Sequence, residues 1–408
     1  MPPALLVARR LLARGHDVLF VSDEANRAEA EAAGLPFASW RRAPNRSAAG
    51  QADDPLDDWR RRWPPAVVKA VCEAVICGPA GAYAADTLEF MAEFRPDLVV
   101  SNELLFGVMA ACEKAQAPLA LLTANLWCFP TRDDLPPFGP GFAPSKSASD
   151  ARRDALSRRW ISKWYNAGLA DLNTARGALG LAPLARTLDQ LSAARMIMLG
   201  TAQGFDFGGD PPPEPFAYAG PLAEAPGWVG QDSADEALLD PERPNVLVSF
   251  STTFQNQGPV IARCIRALAG LPVRGIVTLG PAISAADLPS APNIRVVAKA
   301  SHDVLVPACA AMISHGGHGT VVRPLMHGVP CLVLPMGRDH ADNAARIAER
   351  GAGLRLSRSA GAGSIRRALR RMLADDGFAR NAAILGAKLK AEADGGERAA
   401  DAFERLAR

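Results

Sequence analysis

The stretch that decides the fold is residues 310–347, AAMISHGGHGTVVRPLMHGVPCLVLPMGRDHADNAARI. In it an apolar run (310–314) leads into a glycine-rich turn (315–320), a segment of helical spacing, a Gly-Val-Pro turn (328–330) and a second apolar run. This order predicts a buried strand, a helix and a second buried strand, connected as in a parallel sheet. Glycines let a backbone approach a ligand closely, and the free N–H groups at the start of the following helix bind anions. The stretch therefore predicts a diphosphate cradle at a strand-to-helix turn.

Similar apolar runs recur along the whole chain, separated by segments with apolar residues at helical spacing. They cover residues 17–22, 97–102, 118–123, 196–201, 245–251, 274–280, 294–298 and 331–336. The runs are nearly continuous rather than alternating, so both faces of the predicted sheets are buried under helices. The predicted fold class is α/β, with two doubly wound Rossmann-like parallel sheets.

The distribution of proline predicts how the chain divides. Its 408 residues suit two core-bearing domains, and prolines are dense over residues 205–243. We predict a first domain over 1–204, a connector over 205–243, a second domain over 244–380, and C-terminal helices over 381–408 that pack back on the first domain. Since parallel sheets bind ligands at the carboxyl ends of their strands, the cleft between the domains is the predicted site.

Composition excludes several classes of function. The 45 Lys+Arg and 43 Asp+Glu residues nearly balance, which argues against electrostatic binding of nucleic acid by the chain as a whole. No apolar run is long enough for an integral membrane span and no signal peptide is recognisable, so we expect a cytoplasmic protein. The seven cysteines are scattered without C-x-x-C spacing and predict neither a metal site nor a disulfide framework. Residues 152–164 are basic and aromatic, and we interpret them as a solvated helix face.

Residues 310–347 resemble the donor signature of the two-domain inverting glycosyltransferases that use nucleotide sugars, including bacterial enzymes that decorate antibiotics and plant secondary-product glucosyltransferases. That signature reads W-x-P-Q, H-x-G-x-[NG]-[ST], G-V-P and [DE]-Q. Its counterparts here are residues 299–302, 315–320, 328–330 and 339–340, with the family's spacing. The similarity extends over essentially the whole chain.

The resemblance implies a GT-B fold and transfer of a hexose or deoxyhexose from a UDP or dTDP sugar to a hydroxyl of a hydrophobic small molecule, a natural product. The nucleotide sugar is a co-substrate, so the resemblance implies no cofactor and no metal. The implied donor-binding residues, position by position, are Ser251, Thr252, His302, His315, Gly317, His318, Gly319, Thr320, Arg323, Asp339 and His340.

The resemblance also implies individual roles. His315 would contact the donor diphosphate, and Gly319 and Thr320 would add backbone and hydroxyl contacts. Ser251 and Thr252, after the first strand of the second domain, would hold the phosphate from the opposite side.

The sugar and base positions match the family only in part. Asp339 would accept hydrogen bonds from sugar hydroxyls. Lys299 replaces the tryptophan that stacks on the base, and Arg323 replaces the glutamate that binds the ribose in plant members. His302 and His340 occupy the places of the two glutamines.

The catalytic base is left open by the sequence. In the family it is a histidine in the loop after the first strand, oriented by an aspartate about a hundred residues further on. The chain as given starts with a predicted helix after Met1, so we expect in-frame DNA upstream to encode a first strand and the base. Asn102 stands at the aspartate position and is followed by Glu103. The alternatives are an acidic residue such as Glu103, Asp133 or Asp134, or a loss of catalysis.

Two other classes of function compete with a transferase. One is a catalytically impaired nucleotide-sugar-binding homologue, or a helper of an active enzyme. The other is a dinucleotide-dependent oxidoreductase, which is disfavoured because no G-x-G-x-x-G follows a first strand. Irregular segments over 40–65 and 127–150 are rich in Trp, Pro and Asp and are predicted to shape the acceptor site.

Overall fold

Helices and strands alternate in the computed structural model, which describes residues 3–47, 60, 63–222, 233–251, 255–280 and 283–408. The helices are α1 (Pro3–Ala13), α2 (Arg27–Ala32), α3 (Pro64–Val71), α4 (Ala80–Phe94), α5 (Phe106–Ala115), α6 (Ala148–Tyr165), α7 (Leu169–Ala178), α8 (Gly258–Leu268), α9 (His302–Leu305), α10 (His318–Met326), α11 (His340–Glu349), α12 (Ala362–Ala374), α13 (Gly377–Ala391) and α14 (Gly395–Ala407). The strands are β1 (Phe20–Ser22), β2 (Phe37–Ser39), β3 (Val99–Ser101), β4 (Leu119–Thr123), β5 (Met196–Leu199), β6 (Phe216–Tyr218), β7 (Asn245–Ser249), β8 (Arg274–Thr278), β9 (Ile294–Val297), β10 (Cys309–Ser314), β11 (Cys331–Val333) and β12 (Gly353–Arg355).

The second half of the chain forms a six-stranded parallel sheet in the order β12-β11-β10-β7-β8-β9. All five residues of the central strand β7 are buried. Successive side chains of a strand point to opposite faces. Val246 and Val248 accordingly pack with α8 and α12, and Leu247 with α10 and α13. Burying each such side chain contributes about 1.5–3 kcal/mol, which is why the continuous apolar run becomes a central strand.

The first half contains a four-stranded parallel sheet, β3-β4-β5-β6, and a separate parallel pair, β1-β2. Among the described residues α1 precedes β1, and β1 pairs with β2 alone. The predicted α/β class with parallel sheets in two halves is confirmed.

One strand lies where a connector was predicted. Residues 216–218 fall within 205–243, yet they form β6 and pair with β5 at the edge of the first sheet. The prolines that suggested a connector lie on both sides of this strand, from Pro211 to Pro215 before it and from Pro221 onward after it, and an edge position tolerates prolines beside a short strand. The first sheet therefore extends into the proline-rich segment.

The end of the chain packs against its beginning. Phe403 on α14 and Leu6 on α1 are buried in one apolar cluster, which also includes Met198 of β5. Arg10 and Glu397 form an ion pair at 3.0 Å at the rim of this contact. The C-terminal helix thus lies on the first domain.

Within the described ranges, one helical segment is long and apolar enough by composition to cross a membrane, Pro64–Phe94. It comprises α3, a π-helical turn and α4. Tyr83, Ala84 and Phe90 on α4 are buried. Core helices of this kind pass the same compositional test, and we interpret the segment as part of the first-domain core.

The carboxyl ends of the two sheets face each other. The turn after β4 carries Asn125, whose side chain bonds to Asp339 after β11. The turn after β5 carries Thr201, whose hydroxyl bonds to His318 at the start of α10. Two of the predicted donor residues, Asp339 and His318, therefore lie at the contact between the two domains.

Candidate functional site

The glycine-rich turn joins β10 to α10 with no room for side chains at its first glycine. Gly316 has a φ of +96°, and a Cβ there would lie 2.6 Å from Val333 Cγ1 and 2.9 Å from the carbonyl oxygen of His340. Gly317 is the N-cap of α10. Around Gly319 the space is open, since a Cβ there would meet no atom within 4 Å. The turn thus presents a helix N-terminus with an open face, which suits an anion.

His315 is buried beneath this turn, and its Nδ1 has no hydrogen-bond partner. Its ring contacts that of His340 edge-on at 4.5 Å between centroids. Burial lowers the pKa of His315 to about 4, and the nearby Arg338 cation contributes to the shift. The imidazole is therefore neutral at pH 7 and offers one donor and one acceptor. An unpartnered buried nitrogen carries a desolvation cost that a ligand phosphate can relieve.

His340 has a defined tautomer. Its Nδ1 accepts a hydrogen bond from the backbone N–H of Met336 at 3.2 Å, so the proton of the neutral ring resides on Nε2. Burial lowers the pKa of His340 to about 2, helped by His315 and Arg338. Its Nε2 lies 3.8 Å from Asp339 Oδ1. His315, His340 and Asp339 thus form a continuous buried row.

Asp339 is held by amides from both domains. Its Oδ2 accepts a hydrogen bond from Asn343 Nδ2 at 2.7 Å and another from Asn125 Nδ2 at 2.9 Å. Burial raises the pKa of the Asp339 carboxyl, although these hydrogen bonds oppose the shift. This carboxylate can accept further hydrogen bonds, as expected of a residue that binds sugar hydroxyls.

The side chain of His318 belongs to the domain contact. Its Nε2 lies 2.7 Å from the hydroxyl of Thr201, and its ring meets Phe205 edge-on at 5.5 Å. Burial lowers the pKa of His318 to about 4, so this ring too is neutral. The part of His318 that is available at the open face of the turn is therefore its backbone, at the start of α10.

His302 and Arg323 lie together at the side of α10 nearer α9. His302 Nε2 lies 3.4 Å from the hydroxyl of Thr278, and Arg323 pairs with Asp303 at 3.0 Å. Burial lowers the pKa of His302 to about 4, with a contribution from the Arg323 cation. The predicted base-side residues are thus neighbours in space, and Arg323 is partly engaged by an acid.

Three further residues were predicted to contact the donor phosphates: Ser251, Thr252 and Thr320. Ser251 is half-buried directly after β7, and its carbonyl accepts a hydrogen bond from Gln257 Nε2 at 3.0 Å. Thr320 is half-buried in the first turn of α10. Thr252 lies outside the described residues.

The residues predicted at or near the position of the catalytic base differ in burial and in hydrogen-bond partners. Asn102 is exposed and its Oδ1 accepts from the Leu104 N–H at 2.6 Å. Asp133 is exposed, and Asp134 pairs with a buried arginine. Glu103 is buried, its Oε2 has no partner, and its Oε1 lies 3.9 Å from Cys128 Sγ. Burial raises the pKa of Glu103 to about 7.

Comparison with known proteins shows which proteins the chain resembles. Residues 267–404 match the family described as erythromycin biosynthesis protein CIII-like, C-terminal domain. The chain is 28% identical over 402 residues to 4'-demethylrebeccamycin synthase from Lentzea aerocolonigenes, which covers 94% of this chain and 91% of that protein. It is 29% identical over 318 residues to TDP-daunosamine transferase DnrS from Streptomyces peucetius, covering 74% of this chain and 67% of that protein. The solved structure of the glycotransferase of kitacinnamycin superposes with a TM-score of 0.76 at 19% identity, over 100% of this chain and 95% of that one. The chain is a GT-B glycosyltransferase related to those of antibiotic pathways.

Two residues of the glycosyltransferase site were missed by the sequence reasoning. Asn125 comes from the first domain. Its position shortly after the apolar run that forms β4 could have indicated it. Arg338 is exposed, has a φ of 53°, and acts electrostatically on both His315 and His340. The sequence feature that could have indicated Arg338 is the Gly-Arg-Asp segment that leads into α11.

A buried ion pair fastens the two domains of the glycosyltransferase beside the site. Arg346 on α11 bonds to Asp206 Oδ1 at 3.0 Å from Nε and 2.5 Å from Nη2. The hydroxyl of Tyr218 donates to the other carboxylate oxygen at 2.9 Å. Arg346 also donates to the carbonyl oxygen of Asp342, and the Gly139 N–H bonds to the Asp342 side chain at 2.9 Å. The helix that follows Asp339 is thereby fixed to the first domain.

Proposed function

We propose that this glycosyltransferase moves a hexose or deoxyhexose from a UDP or dTDP sugar to a hydroxyl group of a hydrophobic small molecule, with inversion at the anomeric carbon. The observation that carries the proposal is the open helix N-terminus at Gly319, set above the neutral His315 with its unpartnered Nδ1. Relatives named as a TDP-daunosamine transferase and a demethylrebeccamycin synthase support a nucleoside diphosphate sugar and a natural-product acceptor.

In this proposal the donor diphosphate lies against the turn and the start of α10. Backbone N–H groups at the helix start, the hydroxyl of Thr320 and one N–H of His315 would bind its oxygens. Ser251 would reach it from the turn after β7, and His302 and Arg323 would lie toward the nucleoside. Asp339 and the Nε2–H of His340 would hold the sugar hydroxyls.

The reaction is a single displacement. The acceptor oxygen forms a bond to the anomeric carbon while the bond from that carbon to the diphosphate oxygen breaks. The electron pair leaves with the nucleoside diphosphate, whose growing charge is stabilised by the helix N-terminus and by Arg338. The hydroxyl proton passes to a base. No metal or cofactor takes part in the proposed scheme.

Among the described residues we propose Glu103 as that base. It follows the carboxyl end of β3, on the domain opposite the diphosphate turn. Its neighbour Cys128 lies three residues after Asn125, which contacts Asp339 across the cleft. Burying a carboxylate oxygen without a partner, as for Glu103 Oε2, costs stability and is typical of a residue with a chemical role, and a pKa near 7 suits proton transfer at neutral pH. Asn102 exposes its amide beside it and would orient the acceptor.

The test of the donor site is calorimetric titration of the full chain with dTDP and with UDP. His315→Ala is expected to weaken binding about 10–100-fold, because a hydrogen bond to a charged group contributes about 1.5–3 kcal/mol. The matched control is His327→Ala, since His327 is exposed at the far end of α10. Equal affinity in the His315 variant and the wild type would contradict the proposed cradle.

Transfer itself is tested by following release of dTDP or UDP from the corresponding sugar donors with a panel of phenolic and macrolide acceptors. The proposal expects release that depends on acceptor and a product with inverted anomeric configuration by NMR. Retention of configuration would exclude the single displacement.

A further inference from the structure

The solvent face of α6 combines large apolar side chains with cations. Leu156 and Trp160 are 51% and 53% exposed, and their i, i+4 spacing puts them side by side. Arg152, Arg159 and Lys163 are exposed on the same helix, and the Lys163 ammonium lies 5.4 Å from the centre of the Trp160 ring. We call these five residues the α6 face.

A third large apolar side chain is exposed nearby. Trp63 is 70% exposed at the N-terminal end of α3, and α3 packs beside α6. The opposite side of α6 is anchored in the domain through buried Ile161 and Tyr165. The sequence predicted a solvated helix face here, and the structure adds two adjacent large apolar side chains on it, Leu156 and Trp160, each more than half exposed, which is typical of an interaction surface.

We propose that the α6 face binds the surface of an anionic lipid membrane. Trp160 and Leu156 would enter the boundary between headgroups and acyl chains, and the three cations would lie against lipid phosphates. Tryptophan at this depth and lysine or arginine with extended stems are the side chains that such an interface selects. A protein partner fits less well, because lysine is depleted from the centres of protein interfaces and here it lies directly over the tryptophan.

Arg158 lies on the domain-facing side of α6, with buried Ile161 and opposite the α6 face. Arg158 donates to the carbonyl oxygens of Arg132 at 3.3 Å and of Leu135. The same loop continues to Gly139, whose N–H bonds to Asp342 of the donor domain. The side of α6 opposite the α6 face therefore holds the loop that borders the cleft. Membrane binding by the α6 face does not depend on the proposed function.

The experiment is flotation of the full chain with vesicles of phosphatidylcholine alone and with roughly a third phosphatidylglycerol. The inference expects binding to the anionic vesicles that weakens with salt, because exposed charges are screened within roughly 10 Å at 0.1 M. Replacing Arg152, Arg159 and Lys163 together by Gln should reduce binding on the order of 100-fold, from about fivefold per charge. Leu156→Ser with Trp160→Ser should reduce it at least tenfold.

The matched control is Ile384→Ser, since Ile384 is 62% exposed on α13 away from the α6 face. All variants are checked for an unchanged melting temperature and for unchanged dTDP affinity, which separates this inference from the donor site. Three results would overturn it: no flotation with anionic vesicles, equal flotation of the Leu156 and Trp160 double variant, or a dimer in light scattering that Trp160→Ser dissociates. The last would assign the face to a second copy of the chain.

Discussion

At the scale of single residues, burial sets the charge of the site. The pKa values of His315, His318 and His340 are all lowered because their rings are desolvated. They stay neutral across the range from pH 6 to 8, so their protonation does not alter donor binding there. Glu103 is the reverse case, since burial moves the pKa of its carboxyl up to about 7. The pH dependence of the reaction near neutrality should therefore come from Glu103.

We expect kcat to rise with pH and level off above about pH 7, because only the ionised Glu103 accepts a proton. Glu103→Gln should lower kcat about 10²–10⁴-fold, remove the rise at pH 7 and leave dTDP affinity unchanged. Steady-state kinetics from pH 5 to 9 measure this, with Asp133→Asn as the control at an exposed acid. A Glu103→Gln variant with near-normal kcat would transfer the role of base to another group.

The same substitution has a consequence for stability. Because the folded-state pKa of Glu103 lies above its unfolded value, the stability that depends on the protonated form is lost as pH rises from about 4.5 to about 7. Glu103→Gln removes this loss, so the variant should unfold at a higher temperature than the wild type at pH 8 and at a similar one at pH 4.5. Stability given up for an ionisable group is typical of a functional residue.

At the scale of elements, two glycines in the turn from β10 into α10, Gly316 and Gly319, differ in backbone conformation and in the space around them. Gly316 needs a positive φ and has no space for a Cβ. Gly319 is the second residue of α10, where alanine is a better helix former than glycine, and it has space for a methyl group. We therefore expect the glycine at position 319 to serve the close approach of a ligand.

This contrast gives a paired prediction. Gly319→Ala should keep or slightly raise the melting temperature and weaken dTDP binding at least tenfold, since the methyl group occupies the open face of the helix start. Gly316→Ala should lower the free energy of unfolding by about 1–3 kcal/mol through backbone strain and overpacking. Thermal melts and calorimetry on the two variants decide it, and unaltered dTDP affinity in Gly319→Ala would move the diphosphate away from the turn.

At the scale of the whole molecule, the two domains are held together by buried polar contacts next to the site. Asp206 and Arg346 are both buried and are linked to each other and to Tyr218. The guanidinium of Arg346 also lies 4.6 Å from the centre of the Phe207 ring. Removing one partner leaves an uncompensated charge in a desolvated place.

Asp206→Asn should therefore reduce the free energy of unfolding by about 3–5 kcal/mol. The control is Glu93→Gln, because Glu93 forms an exposed ion pair with Arg41 at 2.7 Å and such pairs contribute at most about 1 kcal/mol. Chemical denaturation of the two variants at matched pH provides the comparison. A cost below 1 kcal/mol for Asp206→Asn would show that the domains are held by other contacts.

What the sequence determined by itself was local. Continuous apolar runs and the glycine turn predicted the parallel sheets and the strand-to-helix cradle, because burial on both faces and a positive φ leave direct marks on residue types. Residue types did not predict the strand at residues 216–218. Three residues are too few to show a periodicity, and the flanking prolines indicated a connector.

What only the tertiary structure decided was which side chains meet across the cleft. Asn125 meets Asp339, His318 contacts Thr201, and Glu103 Oε2 is buried without a partner. These contacts join positions 117 and 214 residues apart or depend on how a loop covers a carboxylate, and no spacing in the chain encodes such distances. The pKa values follow the same logic, since these groups are desolvated only in the folded chain.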